Sequence, residues 1–413
     1  MEETHAHPHV VVVGAGQAGI QVADSLRDRG YEGALTVIGD EQVLPYQRPQ
    51  LSKEFLADGQ NPVALPLRAE RFYGTHRIDL RTGVRVTALD RAAHRVRLDN
   101  GETLRYSALV LATGAESRRL DVPGIDANGV HELRTLADAG SLRQALASAR
   151  TVVVVGAGFI GLEVAAAARG RGVAVTVLEA AGRPMARALS PSMSGHLADA
   201  HRRMGTELRL GEGLAAITCR SGSVVAVSGT SGREYPADAV LLGVGVRPRD
   251  ELARAAGLAV DNGVVVDGGL RTADRAVYAV GDCASFPGGA DGSRLRLESV
   301  QNATDQARHV ADTILGGGAA YSRVPWFWSH QGPLRLQIAG LVRHGDSTVV
   351  AGDCAGGRFS VFCFRAGRLA AVESLNRPAD HLAARRVLAV RDRPTMEQVA
   401  DPSFSLKEHA KAL

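Results

Sequence analysis

Val10-Val-Val-Val-Gly14-Ala-Gly16-Gln-Ala-Gly19 is the stretch that decides the fold, because Val152-Val-Val-Val-Gly156-Ala-Gly158-Phe-Ile-Gly161 repeats it. Each copy opens on a short unbroken apolar run, the pattern of a strand buried on both faces. Each passes through a glycine turn into a helical segment, Ile20 to Arg29 and Leu162 to Arg171. A second strand follows each helix, Ala34 to Ile38 and Ala174 to Leu178, and leads to an acid: Asp40 with Glu41 in the first copy, Glu179 in the second. A single G-x-G-x-x-G carries little weight. Two of them, each between strand and helix with an acid about 20 residues on, read as two dinucleotide-binding modules. The first glycine permits the tight turn, the second lets a pyrophosphate approach the backbone, and the third lets helix and strand pack closely. The helix N-terminus then offers free N–H groups and the positive end of its dipole.

In the second copy Glu179 stands where an adenosine ribose would bind. A carboxylate there repels a 2′-phosphate, which favours NAD(H) over NADP(H), with Arg183 close enough to act in the opposite sense. Two dinucleotide modules in one chain imply hydride transfer from one cofactor to the other.

Composition bounds the rest. With 413 residues, 45% hydrophobic and 22% charged, the chain has the make-up of a soluble globular protein of two or three domains. Of the 48 basic side chains, only Lys53, Lys407 and Lys411 are lysines, so Lys53 is the single lysine of the first 406 residues in an arginine-dominated chain. Cys219, Cys283, Cys354 and Cys363 form no C-x-x-C pair and no metal-ligand spacing, which points to a reduced, cytoplasmic compartment and no metal. The segment Met1 to His9 is polar, without the apolar region of a signal peptide. His5, His7 and His9 within it read as a disordered tail rather than a metal site. The apolar run Thr151 to Ala168 contains Glu163 and the three motif glycines, so it reads as strand, turn and helix, not a membrane span. Neither nucleic acid nor membrane is an expected partner.

Between the modules lie alternating strands, Gly83 to Leu89 and His94 to Leu98, and the segment Ala108-Leu-Val-Leu-Ala-Thr-Gly114. Ala239-Val-Leu-Leu-Gly-Val-Gly245 matches it after the second module, and Ala276-Val-Tyr-Ala-Val-Gly281-Asp282-Cys283-Ala284 follows. Beyond about Tyr321 the sequence turns to Trp-rich alternating strands and then Arg-rich helical segments, the pattern of a third, α+β domain.

Seven motifs together carry a specific resemblance over nearly the whole chain. They are Val13-Gly-Ala-Gly-Gln-Ala-Gly19, Pro45-Tyr-Gln-Arg-Pro-Gln-Leu-Ser-Lys53, Leu111-Ala-Thr-Gly114, Gly158-Phe-Ile-Gly-Leu-Glu163, Val280-Gly-Asp-Cys-Ala284, Glu298-Ser-Val-Gln-Asn-Ala303 and Pro325-Trp-Phe-Trp-Ser329. In these the chain resembles the NADH-dependent ferredoxin reductases of bacterial oxygenase systems, such as the putidaredoxin, rubredoxin and biphenyl-dioxygenase ferredoxin reductases. The resemblance implies an α/β fold with two Rossmann-like dinucleotide-binding domains and a C-terminal α+β domain. An FAD domain would be discontinuous over 1–115 and 246–322, an NAD(H) domain inserted at 116–245, and an interface domain would occupy 323–413. Position by position, it sets Gly14, Gly16, Ala18, Gly19, Asp40, Arg48, Lys53, Val86, Ala112, Thr113, Gly114, Arg134, Gly281, Asp282, Ser299, Val300 and Trp328 against FAD. It sets Gly156, Gly158, Phe159, Ile160, Gly161, Glu163, Glu179 and Gly245 against NAD(H).

Lys53 and Glu163 are the implied catalytic pair: the ammonium beside the flavin, the carboxylate beside both the ammonium and the nicotinamide amide. Phe159 is either a gate on which the nicotinamide stacks or a core side chain. Asp282 is set as a cofactor ligand, with a helix N-cap as an alternative that is compatible with it. Trp328 approaches the flavin in the family, with core packing the alternative for it and Trp326. His330 stands where the family usually has Asp, and Gly332-Pro333 replaces an aromatic-containing stretch. No cysteine precedes Cys219, so the thiol relays of disulfide, persulfide and peroxide reductases are missing unless Cys283 serves, and that residue reads as a small packed side chain. The expected activity is hydride transfer from NADH (NADPH being less favoured) to FAD, then single electrons to a [2Fe–2S] ferredoxin or rubredoxin that feeds a cytochrome P450 or dioxygenase. No iron–sulfur ligand set lies in the chain itself. An NADH-responsive signalling flavoprotein and an NADH oxidase using O₂ are the alternatives, and a monomer or weak homodimer is the expected assembly.

Overall fold

A computed structural model describes residues 8–57, 64–289 and 292–413. His5 and His7 lie outside the described residues. His9 opens the first strand and its ring shares a hydrogen bond with Thr36 Oγ1 at 3.0 Å. The chain divides into two compact units, one of Met1–Gln47, Leu65–Glu116 and Val246–Arg323, the other of Arg48–Ala64, Ser117–Gly245 and Val324–Leu413.

In the first unit a five-stranded sheet runs in the order Val277–Ala279, Ala108–Leu111, His9–Val13, Ala34–Ile38, Asp79–Arg81, with every pairing parallel. All-apolar strands fit because helices and loops cover both faces of a parallel sheet. The helices Gln17–Asp28 and Val300–Ile314 pack on each other, and Val12, Val37, Leu109, Val110 and Val277 are fully buried in the sheet. An antiparallel sheet of Val86–Asp90, Arg95–Leu98 and Thr103–Arg105 adds to this unit. Its strands start later than their alternation suggests. Gly83 and His94 sit at φ 68° and 48°, left-handed turn geometry outside the extended region of a regular strand.

The second unit repeats the first unit's plan in four of its five strands; the fifth, Val130–His131, precedes the motif strand in the chain, where Val277–Ala279 follows it. Its parallel sheet runs Glu207–Leu210, Ala174–Glu179, Thr151–Val155, Ala239–Leu242, Val130–His131. The registers match as well as the order: Val10 pairs with Leu35 and Ala108, and Val152 pairs with Val175 and Ala239. The helices begin at Gln17 and Phe159, three residues ahead of the segments that sequence periodicity marks, so each third motif glycine is helical.

The C-terminal part of this unit is an antiparallel sheet ordered Trp326–Gln331, Leu334–Gly340, Arg368–Leu375, Arg358–Arg365, Ser347–Asp353. Helices Pro378–Val387 and Leu406–Lys411 cover one face, burying Phe362, Phe364 and Val372. Gly332 (φ 61°) and Pro333 make the two-residue turn of the first hairpin, so the departure from the family pattern at this point builds a tight reversal. Among the described residues no helix is long and apolar enough to cross a membrane.

Candidate functional site

The two glycine turns are built alike. The Gly14 N–H donates to Ile38 O at 2.7 Å, and the Gly156 N–H donates to Leu178 O at the same distance. Gly14 and Gly156 have φ of 114° and 101°, and a Cβ on either would overlap a carbonyl oxygen, that of Ala112 or Gly243. A Cβ on Gly19 or Gly161 would overlap the carbonyl oxygen of the first glycine of its own turn. The second glycines differ. A Cβ on Gly16 would meet nothing within 4 Å, and one on Gly158 only Gly243 O at 3.9 Å. Both open spaces lie at the N-terminus of a helix with no side-chain cap. An open cradle lined by uncapped amides fits a pyrophosphate.

In the first unit Gly281 (φ 75°) seats close to Ala18, whose Cβ lies 3.1 Å from where its own would be, and its N–H donates to Gln306 Oε1 at 2.7 Å. Asp282 lies within the 3-10 turn Gly281–Cys283, whose cap is Val280, so Asp282 is not an N-cap. Ser299 is one: its hydroxyl accepts from the Asn302 N–H at 3.0 Å and Val300 opens the helix. Thr113 Oγ1 donates to Arg249 O at 2.6 Å, the Ala112 N–H bonds Val13 O at 2.8 Å, and Gly114 has φ 71°. Val86 is buried at the start of its strand. Asp40, beyond the second strand, accepts from Arg249 at 2.9 Å and Arg85 at 3.2 Å. Burial opposes its ionisation, but the two guanidinium groups outweigh burial and hold its carboxyl below the ordinary value. Sequence reasoning missed both arginines, since no single Arg stands out where nearly every cation is Arg.

In the second unit Glu179 is locked at the mouth of its glycine turn. Its Oε2 accepts from the Ala157 N–H at 2.7 Å and its Oε1 from the Ala181 N–H at 2.8 Å. Arg183, the residue placed to oppose it, turns away: its guanidinium donates to Leu189 O and Ala186 O at 2.8 Å each. Gly245 has φ 96° and accepts at its carbonyl from the Arg118 N–H. Ile160 is exposed. Phe159 is half-buried and pairs with Phe327 at 4.5 Å between centroids, so it is not a core side chain.

Lys53 and Glu163 meet. The Lys53 ammonium lies 2.8 Å from Glu163 Oε2, with the two side chains 13% and 4% exposed, and it also donates to Pro49 O at 2.9 Å. Ser52 donates to the same carboxylate oxygen, and Ser329 donates to Oε1 at 2.7 Å. These serines are unmarked in the sequence, because a hydroxyl beside a motif looks the same whether it faces water or a carboxylate. Arg48 Nη1 donates to Arg134 O at 2.6 Å, and Arg134, half-buried, precedes the Thr135–Asp138 capping box. Trp328 is half-buried and stacks at 5.5 Å on Trp326, which also carries the Arg385 guanidinium 4.3 Å over its ring. His330 is pushed below the ordinary imidazole value by burial and then by the Lys53 and Arg335 charges. Cys283 is fully buried, its sulfur lying 3.4 Å from Leu111 O and 3.3 Å from Val280 O, and burial pushes that thiol up. It is a packed residue and not a relay.

The model of the pyridine nucleotide-disulphide oxidoreductase family matches residues 8–307, and that of the reductase C-terminal domain matches 326–410. The chain belongs to the pyridine nucleotide-disulphide oxidoreductase family. Rhodocoxin reductase of Rhodococcus erythropolis is 49% identical to this family member over 398 residues, spanning 96% of this chain and 93% of that protein. Among solved structures, the ferredoxin reductase for the CYP199A2 system from Rhodopseudomonas palustris superimposes with a TM-score of 0.95 at 45% identity, covering 97% and 99% of the two chains. The reductase of the covalent putidaredoxin reductase–putidaredoxin complex does so with 0.94 at 38% identity, covering 99% and 100%. The resemblance that the seven motifs carry therefore extends through the fold.

Proposed function

We propose that the chain is an FAD-dependent NADH:ferredoxin oxidoreductase that feeds electrons to an oxygenase. The buried Lys53–Glu163 pair carries this reading. It joins the Pro-rich segment before Lys53 to the helix opened by the second glycine turn, and no cysteine precedes Cys219 to offer a thiol route. The relatives' names support the partner: rhodocoxin reductase, a ferredoxin reductase and a reductase captured with putidaredoxin.

The Gly14-Ala-Gly16 turn with Ala18, Asp40, Thr113, Gly281, Asp282 and Val300 is the FAD module, over 1–115 and 246–322. The Gly156-Ala-Gly158 turn with Glu179 is the NAD(H) module, over 116–245, and 323–413 is the interface domain. Glu179, a carboxylate held by two amides, disfavours a 2′-phosphate, and Arg183, committed to carbonyls, does not turn to offset it. FAD held by the first glycine turn would supply the acceptor for a hydride from NADH and the one-electron donor for the carrier. Lys53 offers a compact positive charge to the reaction and Glu163 orients it. The carrier is a [2Fe–2S] ferredoxin or a rubredoxin, serving a cytochrome P450 or a dioxygenase, and the enzyme works as a monomer or weak homodimer. Anaerobic titration tests the first half: the purified protein should show a flavin band that about one equivalent of NADH bleaches. A colourless protein, or a flavin that NADH leaves oxidised, removes the reading.

A further inference from the structure

Glu163 stands at the end of a chain of hydrogen bonds that enters the C-terminal sheet. Ser329 donates to Glu163 Oε1 at 2.7 Å, Gln331 Nε2 donates to Ser329 Oγ at 3.1 Å, and His201 Nε2 lies 2.9 Å from Gln331 Oε1. Ser329, Gln331 and His201 are each 0% exposed.

Chemistry fixes the direction of every link. A carboxylate oxygen only accepts, so the single Ser329 hydrogen goes to Glu163. The serine oxygen can then only accept, which calls for the NH₂ end of Gln331. The amide oxygen is left to accept from His201, whose Nε2 must carry the proton. A flipped Gln331 amide would set two acceptors together at Ser329. Burial pushes His201 below the ordinary imidazole value, so the ring is neutral and holds this one tautomer. Lys53 and Ser52 reach the carboxylate at Oε2, so the donors from the Pro-rich segment occupy one oxygen and the donor from the sheet occupies the other.

We propose that Ser329 and Gln331 are positioning residues that aim the Glu163 carboxylate at Lys53, with His201 setting the orientation of the Gln331 amide. This rests on the reading of Lys53 and Glu163 as the hydride-transfer pair. A carboxylate with one oxygen unheld can rotate about its last bond, and misalignment of a reacting pair costs rate far more than affinity. Affinity for the dinucleotide resides mainly in the second glycine turn and Glu179, which neither Ser329 nor Gln331 contacts in the hydrogen-bond pattern above.

The test uses the full-length flavoprotein in S329A, Q331M and S329T forms. Q331M keeps the shape of the side chain without its donor, and S329T keeps the hydroxyl. Stopped-flow reduction by NADH gives the limiting rate, calorimetry gives the NAD⁺ dissociation constant, and thermal melting reports folding. S329A and Q331M should lower the limiting rate about tenfold while NAD⁺ affinity stays within about twofold, and S329T should recover most of the rate. Unchanged limiting rates in both S329A and Q331M overturn the assignment. So does a rate that falls only in proportion to NAD⁺ affinity, or to the fraction folded. A parent protein whose flavin NADH fails to reduce refutes the proposed function instead, before any variant is compared.

Discussion

Gly158 and Gly161 are the same residue for opposite reasons, and the difference is measurable. A methyl on Gly161 has nowhere to go but the Gly156 carbonyl oxygen, whereas a methyl on Gly158, at φ −78°, meets no protein atom closer than 3.9 Å. G161A should therefore lower stability by about 1–3 kcal/mol, the usual cost of overpacking, seen as a lower denaturant midpoint. G158A should melt with the parent protein and yet weaken NADH binding at least about tenfold, because the methyl takes the space of a phosphate. Equal melting losses in the two variants would show that the space at Gly158 is structural. At this scale the sequence is legible where geometry leaves one residue type possible. The motif glycines and Glu179 follow from spacing, and Lys53 stands out by composition. Ser52, Ser329, Gln331 and Arg249 do not, since serine, glutamine and arginine serve equally well on a surface.

The strand Trp326–Gln331 shows how one element serves two neighbours. Its period of two sends Phe327, Ser329 and Gln331 toward Phe159, Glu163 and His201, and Trp326 toward His381 and Arg385. The apolar alternation of the C-terminal segment was readable, but not that its alternate polar residues would be buried. A second polar tie lies on the same sheet. Ser190, the N-cap of the helix Pro191–Arg203, donates its N–H and hydroxyl to Glu373, which is 0% exposed. Burial pushes the Glu373 carboxyl up to about 7, against the Ser190 hydrogen bonds and the Arg183 charge, which lower it. The buried Cys363 thiol also lies near it, at 3.9 Å. The folded value exceeds the unfolded 4.5, so the native state holds the proton longer as pH rises. Stability from this group is complete below about pH 4.5 and declines toward pH 7, by an amount on the order of 3 kcal/mol. E373Q keeps the neutral form at every pH. Relative to the parent, it should therefore gain stability between pH 5 and about pH 8 in urea unfolding. A parent and variant that stay parallel across that range would show that Glu373 ionises in the fold as easily as in water.

At the scale of the whole molecule, one plan used twice explains most of what the sequence revealed. The order of four strands, their register and the turn hydrogen bonds coincide in the two units, so finding the motif twice foretold the parallel core of both sheets. The C-terminal sheet lay beyond that logic, because nothing in the sequence says that the hairpin opened by Trp326–Gln331 pairs through Leu334–Gly340 with the more distant Arg368–Leu375. Absence of a relay thiol then directs electrons outward: Cys283 is sealed behind two carbonyls and every other cysteine lies at or beyond Cys219. The most direct test of that central claim is NADH-driven reduction of cytochrome c with and without an added [2Fe–2S] ferredoxin of an oxygenase system. Outward transfer to a carrier predicts a rate that is small without ferredoxin, then rises and saturates as ferredoxin is added, with little oxygen consumed. NADH loss matched by oxygen uptake in the absence of any carrier would contradict it, as would a reduced flavin that no ferredoxin or rubredoxin can reoxidise.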